Sequence, residues 1–286
     1  MLKDKVVVIT GAAGGIGREL AALLAGRGAR LVLTDIRKDK LEELEKAIKT
    51  EGIDVRIVEH DVTRPESWDA LVSKVLNAFG RIDVLINNAG VVQPGAAWEI
   101  SREKVEQQLS VNLLGTIYGC RAVLRVMKTQ KFGKIVNIAS LGGIVPMPGE
   151  AVYCATKFGI RGYSLSLAAE LQGTPVEVSV VLPDSVDTPQ LAYELKHNEA
   201  VMSFIGVPLK PEKVARGILK AVTKNNREVL IPAGMGSLCR TAMAFPKLFF
   251  LLFPLLKKIG SRNIALRREK NKEGAEASAV GAGAGR

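Results

Sequence analysis

The chain has 286 residues and a formal net charge of +11, from 40 Lys and Arg against 29 Asp and Glu; that length can bury the core of one large α/β domain. Eight basic and two acidic residues fall within 242–273, so over half the surplus lies in about a tenth of the chain. A local excess of this kind suits an anionic membrane surface and not a nucleic-acid groove, and no basic stretch carries the interleaved aromatics of single-strand binding.

Residues 5–10 are a continuous β-branched run, the pattern of a strand buried on both faces, and Asp4 just before it argues against a signal peptide. The turn Thr10-Gly11-Ala12-Ala13-Gly14-Gly15-Ile16-Gly17 then leads into an apolar-periodic helix over 16–27. A glycine-rich turn between strand and helix is the setting for a dinucleotide. Gly11, Gly15 and Gly17 permit a tight turn and close backbone approach, and the helix start at Ile16 turns free N–H groups to the pyrophosphate. A second strand over 29–35 ends in Asp35, eighteen residues after Gly17. A carboxylate there accepts from both ribose hydroxyls and repels a 2′-phosphate, which favours NAD over NADP. Arg37 is the dissenting residue, near enough to bind that phosphate.

A charge-laced amphipathic helix over 39–50 and a third strand over 54–59 lead to His60-Asp61-Val62. His60 has no nucleophile or metal partner and reads as structural. A helix begins at Pro65, where geometry permits Pro, and a fourth strand over 82–86 ends in Asn87-Asn88-Ala89-Gly90. One helical pattern covers 101–127 with Asn112 inside it, an unfavourable interior residue. Residues 134–139 form an apolar strand that delivers Ser140; two glycines and two prolines break the chain before a helix over 151–172. Tyr153 and Lys157, four apart, share one face of that helix. A fixed ammonium beside a phenol favours the phenolate, bringing a pKa of about 10 towards neutrality and making the tyrosine a usable general acid or base. The Ser140 hydroxyl can bond the same substrate oxygen. A sixth strand over 176–182 precedes Pro183-Asp184-Ser185-Val186-Asp187-Thr188. Residues 188–208 lack firm periodicity and read as a substrate lid; a helix over 211–223 and a strand over 228–231 follow.

The loop Thr-Gly-x-x-x-Gly-x-Gly, the Asn-Asn-Ala-Gly strand end and the set Ser140, Tyr153, Lys157 together resemble the short-chain dehydrogenase/reductases, over about residues 3–235. The resemblance implies a Rossmann-like, doubly wound parallel sheet with helices on both faces. It implies hydride transfer between a nicotinamide cofactor and a secondary alcohol or ketone. It makes Asn112, Ser140, Tyr153 and Lys157 the catalytic set, with Asn112 kinking its helix through a water that links Lys157 to solvent. Asp61 and Val62 would bound the adenine. Asn88, Ala89 and Gly90 would make room for the cofactor, Tyr153 and Lys157 would meet its ribose, and Val186 and Thr188 would hold its amide. Gly14 stands where members that take NADP often carry a cation. Asp184 replaces the usual glycine and leaves the local turn geometry open. The run Pro-Asp-x-x-Asp-Thr-Pro resembles the ketosphinganine reductases and points to a lipid substrate. Members pair through the helices that carry Asn112 and Tyr153, so a homodimer or homotetramer is expected.

Residues 1–235 thus read as one catalytic domain. In 242–256, twelve of fifteen residues are apolar. As a helix this stretch would extend roughly 22 Å, short of the ~30 Å hydrocarbon core. With Leu248–Leu256 followed by Lys257, Lys258, Arg262, Arg267 and Arg268, residues 236–273 read as an in-plane membrane anchor; a helix packed over the pocket or against a partner subunit is the alternative. Residues 274–286 are of low complexity and are expected to be disordered. Cys120, Cys154 and Cys239 are scattered, with no Cys/His spacing for a metal, which places reduced thiols in the cytoplasm. The rival functions are an NADPH-dependent carbonyl or 3-ketoacyl reductase and a non-catalytic NAD-binding scaffold.

Overall fold

The apolar runs pair in parallel as β1 (Val6–Thr10), β2 (Arg30–Asp35), β3 (Val55–Glu59), β4 (Val84–Asn87), β5 (Gly133–Ile138), β6 (Val176–Pro183) and β7 (Glu228–Ile231). Their order in the seven-stranded sheet is β3-β2-β1-β4-β5-β6-β7. This is a computed structural model that describes residues 2–48 and 53–283. The end of the helix expected over 39–50 lies outside those residues.

Because side chains alternate along a strand, β1 sends Val7 and Ile9 into one core and Val6 and Val8 into the other. Helices α1 (Gly15–Ala25), α2 (Lys38–Ile48) and α8 (Pro211–Thr223) cover the first face with Leu20, Leu24, Leu41, Leu44 and Ile218. Helices α3 (Pro65–Phe79), α5 (Gly115–Gln130) and α6 (Ala151–Glu170) cover the second with Trp68, Leu71, Val75, Val123 and Leu167. Strand order reverses at β1 and β4, and a crevice opens beyond their C-terminal ends, where ligands bind in such sheets.

The single helix expected over 101–127 is divided. It comprises α4 (Arg102–Gln108), capped by Ser101, a π-helical turn Leu109–Leu114, and then α5. Asn112 is the cause. Its Oδ1 accepts from the Val91 N–H at 2.8 Å, and its Nδ2 donates to Val91 O at 2.9 Å and to Thr156 Oγ1 at 3.1 Å. The wider turn takes up the extra residue that lets this amide point inwards.

Beyond α6 the chain is more ordered than its sequence pattern indicates. The segment expected to be a lid forms α7 (Pro189–Glu194) and a 3-10 turn, Val201–Phe204, and is closed by a bridge between Val186 and Leu209. After β7 come α9 (Ala233–Ala244) and α10 (Pro246–Gly283). One face of α10 turns inwards: Phe249, Phe253 and Leu256 pack against Ile160 and Leu182, and Ile264 against Val201 and Phe204. Arg268 donates to Leu195 O and Asn198 Oδ1, both at 2.8 Å, and Arg267 lies over the Phe204 ring. These two arginines, expected to serve an anchor, therefore hold α10 to the 195–204 segment. The helix also continues to Gly283, into the stretch expected to be disordered, where alanine, the best helix former, recurs; residues 284–286 lie outside those described. No helix among the described residues is long and apolar enough to cross a membrane.

Candidate active site

A cavity of about 1090 Å³ occupies the crevice. Every residue singled out from sequence as catalytic or cofactor-binding lines it, except Gly17 and Asn112. Gly17 lies beneath the loop: a Cβ there would come 2.5 Å from Gly11 O and 2.7 Å from Ala12 Cα. Its lack of a side chain lets α1 close onto the turn. Gly11 has φ +60°, and a Cβ on it would meet Ala89 Cα at 2.8 Å. The Asn88 amide faces the loop, donating to Thr10 O and Gly11 O, each at 3.0 Å, while Thr10 Oγ1 accepts from the N–H groups of Asn88 and Ala89. Asn88 thus ties the glycine loop to the end of β4. Asn87 points into the core, donating to Asn137 Oδ1 at 2.9 Å, and Asn137 donates in turn to Ser164 Oγ at 2.9 Å.

No side chain caps α1, whose first residues Gly15 and Ile16 border the cavity. Its first-turn N–H groups suit an anion there. Asp35 is buried at the same end. Its carboxylate accepts from the Ala13 N–H at 3.2 Å and pairs with both Nε (3.0 Å) and Nη2 (3.2 Å) of Arg37. His60 bonds Ser67 Oγ through Nδ1 at 2.7 Å and meets Trp68 edge to face; burial pulls it down to about 4, so it is neutral. Asp184 requires no glycine: among the described residues, positive φ outside glycine is confined to Asp4 and Lys131.

At the other end Ser140, Tyr153 and Lys157 converge. Lys157 Nζ lies 5.4 Å from the centre of the Tyr153 ring and donates to Ile138 O at 3.1 Å. Ser140 Oγ accepts from the Gly142 N–H at 3.0 Å. Asn112 stays behind the wall, and a Cβ on Gly90 would sit 3.4 Å from its Oδ1 and 3.5 Å from Lys157 Nζ. Asn112 reaches the tyrosine through Thr156, whose Oγ1 donates to Tyr153 O at 2.7 Å.

One electrostatic expectation is reversed. Burial, then the charge of Glu194, push the Tyr153 phenol above its ordinary value; a hydrogen bond with Ser140 opposes them and Glu150 adds to them. Burial lowers Lys157 to about 8. Burial first, and two nearby acids after it, thus raise a phenol that the neighbouring ammonium is expected to lower. Glu194, on the cavity wall, is raised by burial to about 7; Glu150 behind it is raised by burial and by Glu194. Ser203 Oγ donates to Glu150 Oε1 at 3.4 Å. Sequence reasoning missed both acids, because Glu194 falls in the aperiodic segment and neither has a motif. Much of the remaining wall is apolar. It includes Met147, Leu191 and Met202, with Phe245 from the junction of α9 and α10 and Phe249 and Leu252 from α10.

A sequence model of the short chain dehydrogenases matches residues 5–199. An uncharacterized oxidoreductase of Staphylococcus saprophyticus is 37% identical over 227 residues, covering 78% of this chain and 92% of the relative. A 3-oxoacyl-[acyl-carrier-protein] reductase of Thermotoga maritima is 35% identical over 224 residues, covering 76% and 90%. The crystal structure of a short chain dehydrogenase/reductase from Burkholderia phymatum in complex with NAD superposes with a TM-score of 0.79 at 28% identity, over 86% of this chain and 95% of that one. With this sheet order, glycine loop and Ser–Tyr–Lys cluster, the chain belongs to the short-chain dehydrogenase/reductase family of oxidoreductases.

Proposed function

We propose that this oxidoreductase interconverts an apolar secondary alcohol and its ketone with NAD as the hydride carrier. The convergence of Ser140, Tyr153 and Lys157 in the cavity that also holds the glycine loop carries the reading. The donor set suits the dinucleotide. Gly11 and Gly15 leave no room for a side chain against Ala89 and Thr188, the open start of α1 suits the pyrophosphate, and Asp35 suits a ribose diol. Asp61 and Val62 border the adenine end, and Val186 and Thr188 the nicotinamide end. When bound, the nicotinamide supplies or accepts the hydride.

In reduction the Tyr153 hydroxyl gives its proton to the carbonyl oxygen; in oxidation its phenolate takes the alcohol proton. The Ser140 hydroxyl bonds the same oxygen, and the Lys157 ammonium favours the phenolate. Asn112 positions this group by holding Val91 and, through Thr156, the backbone of Tyr153. The apolar wall supports a lipid-like substrate, and so does the acyl substrate named for the Thermotoga relative. The test is NAD reduction by purified protein across sterols, retinoids and long-chain secondary alcohols, followed by absorbance. Turnover with NADPH alone would favour a 3-ketoacyl-type reductase, and NADH binding without turnover a scaffold.

Cofactor choice gives a direct expectation. The Arg37 guanidinium is engaged by Asp35, so it is not free for a 2′-phosphate, and the carboxylate repels one. NADH is expected to bind more tightly than NADPH, and Asp35→Ala to narrow the gap. Fluorescence titration with both cofactors decides this; tighter NADPH binding by the unaltered protein would overturn the reading.

The acids give a pH expectation. Removing the Glu194 charge with Glu194→Gln takes away an influence that raises Tyr153. The phenolate then forms at lower pH, so the rising limb of the pH–rate profile for alcohol oxidation should move to lower pH. A limb that stays in place or moves up would show that Glu194 does not act on Tyr153.

Assembly follows the same reading. Leu114 and Phe158, from the π-helical turn and α6, are exposed apolar residues on the helices that would pair in a homodimer or homotetramer. Light scattering of the purified chain measures this.

A further inference from the structure

The inward face of α10 covers the cavity, and its outward face is apolar and basic. Leu251, Leu255, Ile259 and Leu266 recur four, four and seven residues apart, which places them in one stripe along the helix. Leu251 is 74% exposed and Leu255 57%. Arg262 lies in the same stripe, Lys247 and Lys258 are exposed on the same helix, and no acid occurs within 246–268. Leu238, Phe245 and Leu252 have two surroundings at once: each lines the cavity, and each is an exposed large apolar residue. The apolar wall of the cavity therefore continues outwards into the stripe at this edge.

We propose that α9 and α10 dock in the plane of an anionic lipid surface, so that the cavity mouth between them opens onto the bilayer and an apolar substrate enters without crossing water. The substrate part of this inference rests on the alcohol–ketone reading above; the docking part does not. Outward leucines flanked by lysine and arginine, on a helix whose apolar stretch is too short and too charged to span, are the pattern of a helix lying in the interface. The basic residues are complementary to acidic headgroups. A second copy of the chain is a poorer occupant. A two-fold interface through this stripe would set Lys258 and Arg262 against their own counterparts, with no acid on the helix face to compensate.

Flotation of the full chain with phosphatidylcholine vesicles, with and without about one-third phosphatidylserine, tests the docking. The chain is expected to float with the anionic vesicles and to be released as salt is raised. Leu251→Glu/Leu255→Glu, at positions outside the cavity wall, should lower the floated fraction by at least about tenfold while NADH binding is retained. Lys258→Glu/Arg262→Glu leaves the apolar stripe intact and should weaken flotation only with the anionic vesicles. The inference is overturned if the unaltered chain stays in the lipid-free fraction, if both double variants float as it does, or if the leucine variant changes a dimer into a monomer without altering flotation. Flotation without turnover would count against the alcohol–ketone reading alone, and turnover without flotation against docking alone.

Discussion

Tyr153→Phe is expected to lower turnover about 10²–10⁴-fold, the usual contribution of a positioned proton donor, while NADH binding stays near that of the unaltered protein. The ring fills the same space beside Lys157 and Gly142, and only the hydroxyl is lost. Of the neighbouring groups, Glu194 on the cavity wall is engaged by Ser203 and Gln190, and the others are turned away. Cys154 is buried with its Sγ near Val145 O, Lys157 is directed to Ile138 O, and Glu150 lies behind the wall. Steady-state rates with NADH titration in parallel make the measurement. Turnover within tenfold of the unaltered protein would remove Tyr153 from the chemistry and leave the cavity as a binding site.

The second large effect is on stability. Trp68 is 1% exposed, donates from Nε1 to Val62 O at 3.0 Å and packs edge to face on His60 at 4.4 Å. It fills the space between α3 and α5 so closely that a Cβ on Gly119 would come 2.5 Å from its ring. Trp68→Ala should therefore cost about 3–5 kcal/mol, a large share of the ~5–15 kcal/mol that holds an ordinary domain together. Trp68→Phe, which keeps most of the volume, should recover a substantial part. Denaturant unfolding of the three proteins gives the comparison. A loss below about 1 kcal/mol for the alanine variant would mean that the core closes over the gap. Since His60 and Val62 rest on this ring and border the cavity, cofactor affinity should fall with stability.

The sequence was most informative where local physics dominates. β-Branched runs such as 5–10 can hardly be anything but buried strands, and a glycine loop between strand and helix has few other uses. The four-residue step from Tyr153 to Lys157 sets their relation wherever the helix lies. Legibility ended where a property depends on residues distant in the chain. The charge that raises Tyr153 comes from Glu194, on a segment with no periodicity to announce it. The π-helical turn needs Val91 and Thr156 as partners for Asn112, and neither is visible from the helix itself. The apolar run before Lys257 satisfies a protein core and a lipid surface equally well on paper. The fold gives Phe249, Phe253 and Leu256 to the core and leaves Leu251 and Leu255 outside.

The grip of α10 on the 3-10 turn has a consequence for the order of events during synthesis. Gly260 lies so close to this turn that a Cβ would touch Val201 O, and Asn263 donates to Phe204 O at 2.8 Å. A growing chain folds from its N-terminal end, so the glycine loop, the sheet and the Tyr153 helix leave the ribosome before this helix exists. For that interval the nascent protein has a cofactor pocket but lacks one wall of the substrate chamber, and its inner apolar surface is open to water, to chaperones or to any lipid nearby. The chamber is closed by a helix translated after everything it covers.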